Sequence, residues 1–124
     1  MSGRVVHFEI PYDNGERAQQ FYADVFDWDI SPLPEVRYLM AGTGPTSEGT
    51  PDEPGFINGG LIERGLPIGG PLVVLLVDDI DAALERIGRL GGTTVSAKQA
   101  VEPIGFSAYF KDTEGNVLGL WQRA

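Results

Sequence analysis

An internal repeat is the feature that most constrains this chain. Val5–Ile10 reads as a strand and is followed by Asp13 and a helical pattern. In that pattern Ala18, Phe21, Tyr22, Val25 and Phe26 recur at the spacing of one helix face. Leu72–Val77 reads as a second strand, with Asp78 or Asp79 as cap and Ile80, Ala83, Leu84, Ile87 and Leu90 on one face. Gly91 and Gly92 end that helix. A shift of 65 residues lays Asp13 on Asp78, Ala18 on Ala83 and Tyr22 on Ile87. Three short strands follow each helix: 28–31, 36–42 and 56–64, then 93–101, 105–111 and 116–122. The pattern predicts an α+β fold built from two tandem βαβββ modules. They occupy about residues 1–64 and 72–124 of a single domain, joined by the linker 65–71.

Strand alternation assigns faces. Val6, Phe8 and Ile10 are expected beneath the first helix, which leaves Val5, His7 and Glu9 on the opposite side. Leu118, Leu120, Ala108 and Phe110 suit the second helix. Val117, Gly119, Trp121, Ser107, Tyr109 and Lys111 then share the other face. "LVVLLV", 72–77, is apolar on both faces, so Leu72, Val74 and Leu76 need cover from something other than the helix. The expected architecture is a curved mixed sheet forming a cup, with the helices outside. Asp13 and Glu16 have capping-box spacing. Residues 43–55, "TGPTSEGTPDEPG", are expected to be a surface loop or a lid.

The chain of 124 residues carries 18 acidic and 9 basic side chains, a net charge of -9 with no basic cluster. That balance argues against a nucleic-acid or anionic-membrane partner. No apolar run is long enough to span a bilayer, and "MSGRVV" has no signal-peptide pattern, so a cytoplasmic location is expected. The chain has no cysteine, which removes disulfides and thiolate metal sites.

Four stretches together resemble the vicinal oxygen chelate superfamily of glyoxalase I, extradiol dioxygenases and fosfomycin- and bleomycin-resistance proteins. They are "HFEIPYDNGERAQQFYADVFDW", "GGLIE", "VDDIDAALERIGRLGG" and "FKDTEGNVLGLWQ". The first strand with "EIP" and the last with "GLWQ" are similar to a bacterial glyoxalase-like subgroup. Asp27 stands where that pattern has Gly, and Thr113 where it has Pro. The resemblance implies a metal position on the first and last strand of each module. Carried over, these positions fall on His7, on Gly59 (or Gly60 with a one-residue slip), on Leu72 and on Gly119. One donor in four makes a weak site for a divalent ion. No family-type metal and no cofactor are therefore expected.

His7, the single histidine, reads as a hydrogen-bonding side chain in the cup, a ligand donor or general base, or a metal ligand. Glu9 reads as its structural partner or a second proton-transfer group. Tyr38, Tyr109 and Trp121 are packing residues or stacking surfaces, with Gly59, Leu72 and Gly119 beside them as ligand-binding positions. The leading expectation is a metal-free protein binding a small apolar or aromatic molecule. One alternative is an isomerase, epimerase or lyase using His7 and Glu9. A second is a metal-dependent glyoxalase-type lyase or dioxygenase. The resemblance and the apolar strand faces also imply a homodimer.

Overall fold

The structure is a computed structural model that describes residues 3–33, 37–65 and 67–124. Chain contacts divide it into two compact units, His7–Pro71 and Leu72–Ala124, the second including the N-terminal stretch through Val6.

The first unit carries β1 (Val5–Tyr12), α1 (Gly15–Phe26), β2 (Asp29–Leu33), β3 (Tyr38–Gly42), a small hairpin of β4 (Thr46–Ser47) and β5 (Thr50–Pro51), and β6 (Gly59–Glu63). Its sheet order is β2-β3-β6-β1. β6 runs parallel to β1 and antiparallel to β3. The second unit carries β7 (Leu72–Leu76), α2 (Ile80–Arg89), β8 (Thr93–Val101), β9 (Gly105–Lys111) and β10 (Val117–Arg123), in the order β7-β10-β9-β8. β10 is parallel to β7 and antiparallel to β9. In each unit the last strand lies between the first and third, so the duplicated βαβββ module and the α+β class stand. No helix of the described residues is long and apolar enough to cross a membrane.

The repeat extends to the helix caps. Asn14 caps α1 by accepting from Arg17 N at 3.0 Å, and Asp79 caps α2 by accepting from Ala82 N at 3.1 Å. These caps are again 65 positions apart. Asp13, expected as the first cap, lies one residue too early; its carboxylate instead accepts from Arg64 Nε at 2.9 Å. Gln122 adds a long-range cap on α2, its side-chain oxygen accepting from Ile80 N at 2.8 Å.

The two helices bury their apolar stripes differently. Under α2, Ile80 and Ala83 close a core with Val77, Ala108, Phe110 and Leu120, as the alternation requires. α1 contains no buried residue, contrary to the expected packing of its whole stripe against Val6, Phe8 and Ile10. An interposed ring explains the difference. Trp28 stacks on Tyr22 at 4.9 Å between centroids and lies 5.6 Å from Phe8. The ladder Phe8–Trp28–Tyr22 takes the place of direct helix-to-strand contact, and Phe21, Val25 and Phe26 remain exposed.

The loop 43–55 is tied down. Asn58 accepts from Thr43 N and donates to Thr46 Oγ1, both at 2.9 Å, while Thr43 Oγ1 donates to Ile57 O. The turn before β10 is built on Asp112, which accepts from Glu114 N at 2.8 Å and from Asn116 N at 2.9 Å. The backbone and side-chain hydrogen bonds from Asn116 hold the Asp112 carboxyl below its ordinary pKa.

Asp27 ends α1 in the left-handed conformation, φ 58 and ψ 30, the position where glycine has no steric cost. Asp27→Gly should therefore raise the melting temperature by about 2–5 °C. Asp27→Val, with a branched Cβ at positive φ, should lower it by a similar amount. Differential scanning calorimetry of the pair checks both signs.

Candidate functional site

β1 turns His7 and Glu9 to one face and Phe8 to the other. Glu9 is 5% exposed, a buried carboxylate. β6 pairs with β1 in the register Phe8↔Gly59 and Glu9↔Gly60. A Cβ on Gly59 would stand 2.5 Å from the Phe8 ring. Gly59 therefore lies on the Phe8 side, where it gives that ring room against the strand. Gly60 is the glycine on the His7 side, the one-residue slip that the sequence left open. A Cβ there would run into the ring of Tyr38.

Tyr38 reaches His7 from this position. Its hydroxyl lies 2.6 Å from His7 Nε2, and the two rings are nearly parallel at 17°. Burial pushes the imidazole down from its ordinary 6.5 to about 4. His7 is consequently neutral at physiological pH, with one ring nitrogen shared with a phenol. Glu63, two strand positions beyond Leu61, is turned to the exposed rim, where Arg37 lies 3.4 Å away.

The corresponding face of the second unit follows the same construction. Gly119 pairs with Tyr109 across the strands, and a Cβ at Gly119 would lie 3.4 Å from the Tyr109 ring and 3.0 Å from Val74. Trp121 lies over Gly105, whose added Cβ would be 2.7 Å from the indole. Leu72 and Val74 are buried on β7 at 7% and 6% exposure. Tyr38, Tyr109 and Trp121 thus each rest on a glycine. This brings the rings down onto their strands and leaves flat aromatic surfaces.

Within the first unit, then, the structure brings together His7, Tyr38 and Gly60, with Glu9 on the same strand face. Within the second, it brings together Tyr109, Gly119 and Val74, and sets Trp121 on Gly105. Tyr38, expected as a packing residue or a stacking surface, is also the hydrogen-bond partner of His7. The available signal was the doubled glycine of "NGGLIE": adjacent strand glycines face opposite ways, so each can admit a ring.

Comparisons with known proteins place the fold in a family. The bleomycin resistance protein-like N-terminal family matches residues 4–44. A glyoxylase-like domain-containing protein of Didymella fabae is 30% identical over 129 residues, spanning 99% of this chain and 96% of its relative. The chain belongs to the vicinal oxygen chelate superfamily. A glyoxalase/bleomycin resistance protein/dioxygenase superfamily member from Vibrio splendidus has a similar fold. Its TM-score is 0.63 at 18% identity, covering 99% of this chain and 100% of that one. Methylmalonyl-CoA epimerase from Mycobacterium tuberculosis is also similar, with a TM-score of 0.62 at 16% identity over 98% of this chain and 88% of the epimerase.

The superfamily resemblance implies a divalent ion, but the donor set here does not fit one. Of His7, Gly60, Leu72 and Gly119, His7 alone carries a metal-binding side chain, and its Nε2 is engaged by Tyr38. Among the described residues no three His, Asp or Glu side chains converge.

The lowered His7 pKa has a defined linkage sign. The unfolded chain takes up a proton near pH 6.5 and the folded one near 4, so stability is retained above 6.5 and lost as pH falls through this window. The loss amounts to about 3 kcal/mol. Urea unfolding of the wild type and His7→Gln from pH 7.5 to 4 should show this additional slope in the wild type alone. NMR titration should give a His7 midpoint near 4. In Tyr38→Ala, which uncovers the imidazole, that midpoint should move back toward 6.5.

Proposed function

We propose that this protein binds a small apolar or aromatic molecule without a metal ion, with His7 and Tyr38 fixing the polar atom of that ligand. The observation carrying this reading is the hydrogen bond of 2.6 Å between a buried neutral imidazole and a phenol. Such a pair can donate to or accept from a ligand oxygen or nitrogen, while the neighbouring aromatic surface supplies apolar contact. An imidazole with a pKa of about 4 is a weak proton acceptor at neutral pH, which favours binding over general-base chemistry in the free protein. The three positions lacking donor atoms support a metal-independent role.

Isothermal titration calorimetry and thermal shift against a panel of aromatic natural products, with chelator present, provide the test. A binder at 100 times its dissociation constant should stabilise the fold by about 2.7 kcal/mol. Tyr38→Phe and His7→Ala should each weaken it about tenfold, near the upper end for a neutral hydrogen bond. Unchanged affinity in both variants would remove the pair from the site. Stoichiometric divalent metal in purified wild type that disappears in His7→Ala would overturn the metal-free reading.

Proton transfer is the second reading, supported by Glu9, a carboxylate at 5% exposure on the same strand face as His7. The similarity in fold to methylmalonyl-CoA epimerase makes that thioester a suitable probe. In deuterated water, proton exchange at carbon 2 of methylmalonyl-CoA should then occur with wild type. It should be lost in both His7→Ala and Glu9→Gln while circular dichroism is preserved. Exchange that persists in both variants rules out these groups.

A further inference from the structure

A second concave surface lies beside the N-terminal half of α1, within the first unit. It is a cleft of about 340 Å³ whose lining includes neither His7 nor Tyr38. Pro11, Tyr12, Ala18, Phe21 and Tyr22 supply its apolar and aromatic surface. Asn14, Arg17, Ala18, Phe21 and Tyr22 recur at one-face spacing, so a single face of α1 forms one wall. That face stays open because α1 buries none of its residues. Phe21 meets Tyr22 edge-on, with ring centroids 5.3 Å apart and planes at 85°. A planar ring stacked on Phe21 would thus stand edge-to-face with Tyr22, and aromatic rings favour both arrangements.

The rim carries the charge. Two of the nine basic side chains of this acidic chain, Arg17 and Arg64, line this one cleft. Arg64 is held in place: its Nε donates to Asp13 at 2.9 Å and its Nη1 to Gly69 O at 2.6 Å. Asp13, the one acid of the lining, is therefore matched by Arg64. Arg17 is exposed, and its guanidinium forms no ion pair among the described residues. Glu16, the adjacent acid on α1, points about 100° away around the helix and is not part of the lining. Glu63, beside Arg64 in sequence, is turned to Arg37. The cleft thus keeps one positive charge in excess.

We propose that this cleft is a binding site for an aromatic monocarboxylate, separate from the His7–Tyr38 pair and independent of what binds there. The Arg17 guanidinium takes the carboxylate, its planar fork of N–H donors matching the two oxygens. The corner between Phe21 and Tyr22 takes the ring. One excess charge suits a monoanion, whereas a phosphate ester would bring close to two negative charges. The field of a chain at net charge -9 repels anions at long range, so recognition has to come from contacts within the cleft.

Titration of the ¹⁵N-labelled full chain with 2-naphthoate, followed by amide chemical shifts, tests the proposal. Saturable shifts should appear at Asn14, Arg17, Ala18, Phe21 and Arg64, with a dissociation constant below about 1 mM. 2-Naphthamide has the same rings without the charge and should bind at least about tenfold more weakly. This comparison uses the wild type alone and depends on no variant. Arg17→Gln should hold 2-naphthoate no more tightly than the amide, and Phe21→Ala should weaken both. Arg17 and Phe21 are exposed, so both variants should keep the wild-type circular dichroism. Absence of saturable shifts up to about 5 mM 2-naphthoate overturns the proposal. Equal affinity for the two probes, or undiminished affinity in Arg17→Gln, does the same. Shifts centred on His7 and Tyr38 would assign the acid to the other face and overturn it as well.

Discussion

Two adjacent glycines on one strand govern the construction of the first unit. Gly59 and Gly60 face opposite sides of β6, and each accepts an aromatic ring from a neighbouring strand. Phe8 settles on Gly59 and begins the ladder through Trp28 to Tyr22 that carries α1. Tyr38 settles on Gly60 and presents its hydroxyl to His7. The stand-off of the helix and the placement of the phenol against His7 therefore both use the missing Cβ atoms of one dipeptide. Strand glycine ordinarily weakens a sheet; here dense ring packing on both faces offsets that cost.

Much of this organisation was legible in the sequence because periodicity and repetition report on backbone geometry. The repeat at 65 residues located both helices, and the structure places their caps, Asn14 and Asp79, at that same separation. The second helix and its core of Ile80, Ala83, Ala108, Phe110 and Leu120 followed from helical spacing together with strand alternation. The first helix did not. Amphipathicity shows which side chains can be buried, but gives no sign that Trp28 will occupy the gap and leave Phe21 and Val25 outside. The cap position slipped by one residue for a related reason, since Asp13 and Asn14 are both good caps and only the distant Arg64 separates their roles.

The candidate site was visible in part. His7 stood out as the single histidine on a strand face, and the resemblance to a metal-binding superfamily gave that face meaning. Its partner was not visible, because the contact with Tyr38 joins residues 31 positions apart through a ring crossing a glycine. The choice between Gly59 and Gly60 required the register of β6 against β1, which single-strand patterns do not supply. The structure uses Asn58 to anchor the 43–55 loop and places Glu63 beside exposed Arg37.

The ring over Gly60 also bears on how this chain could change over evolutionary time. A donor side chain at position 60 would meet the phenol before it met an ion, and removal of the phenol alone would leave the position without a donor. Neither substitution by itself moves the chain toward a metal-binding relative, and the first would disturb a packed strand. The route between the two kinds of protein thus requires both positions to change together. Position 60 is therefore coupled to position 38, and a larger side chain could enter the strand there only alongside a smaller one at 38.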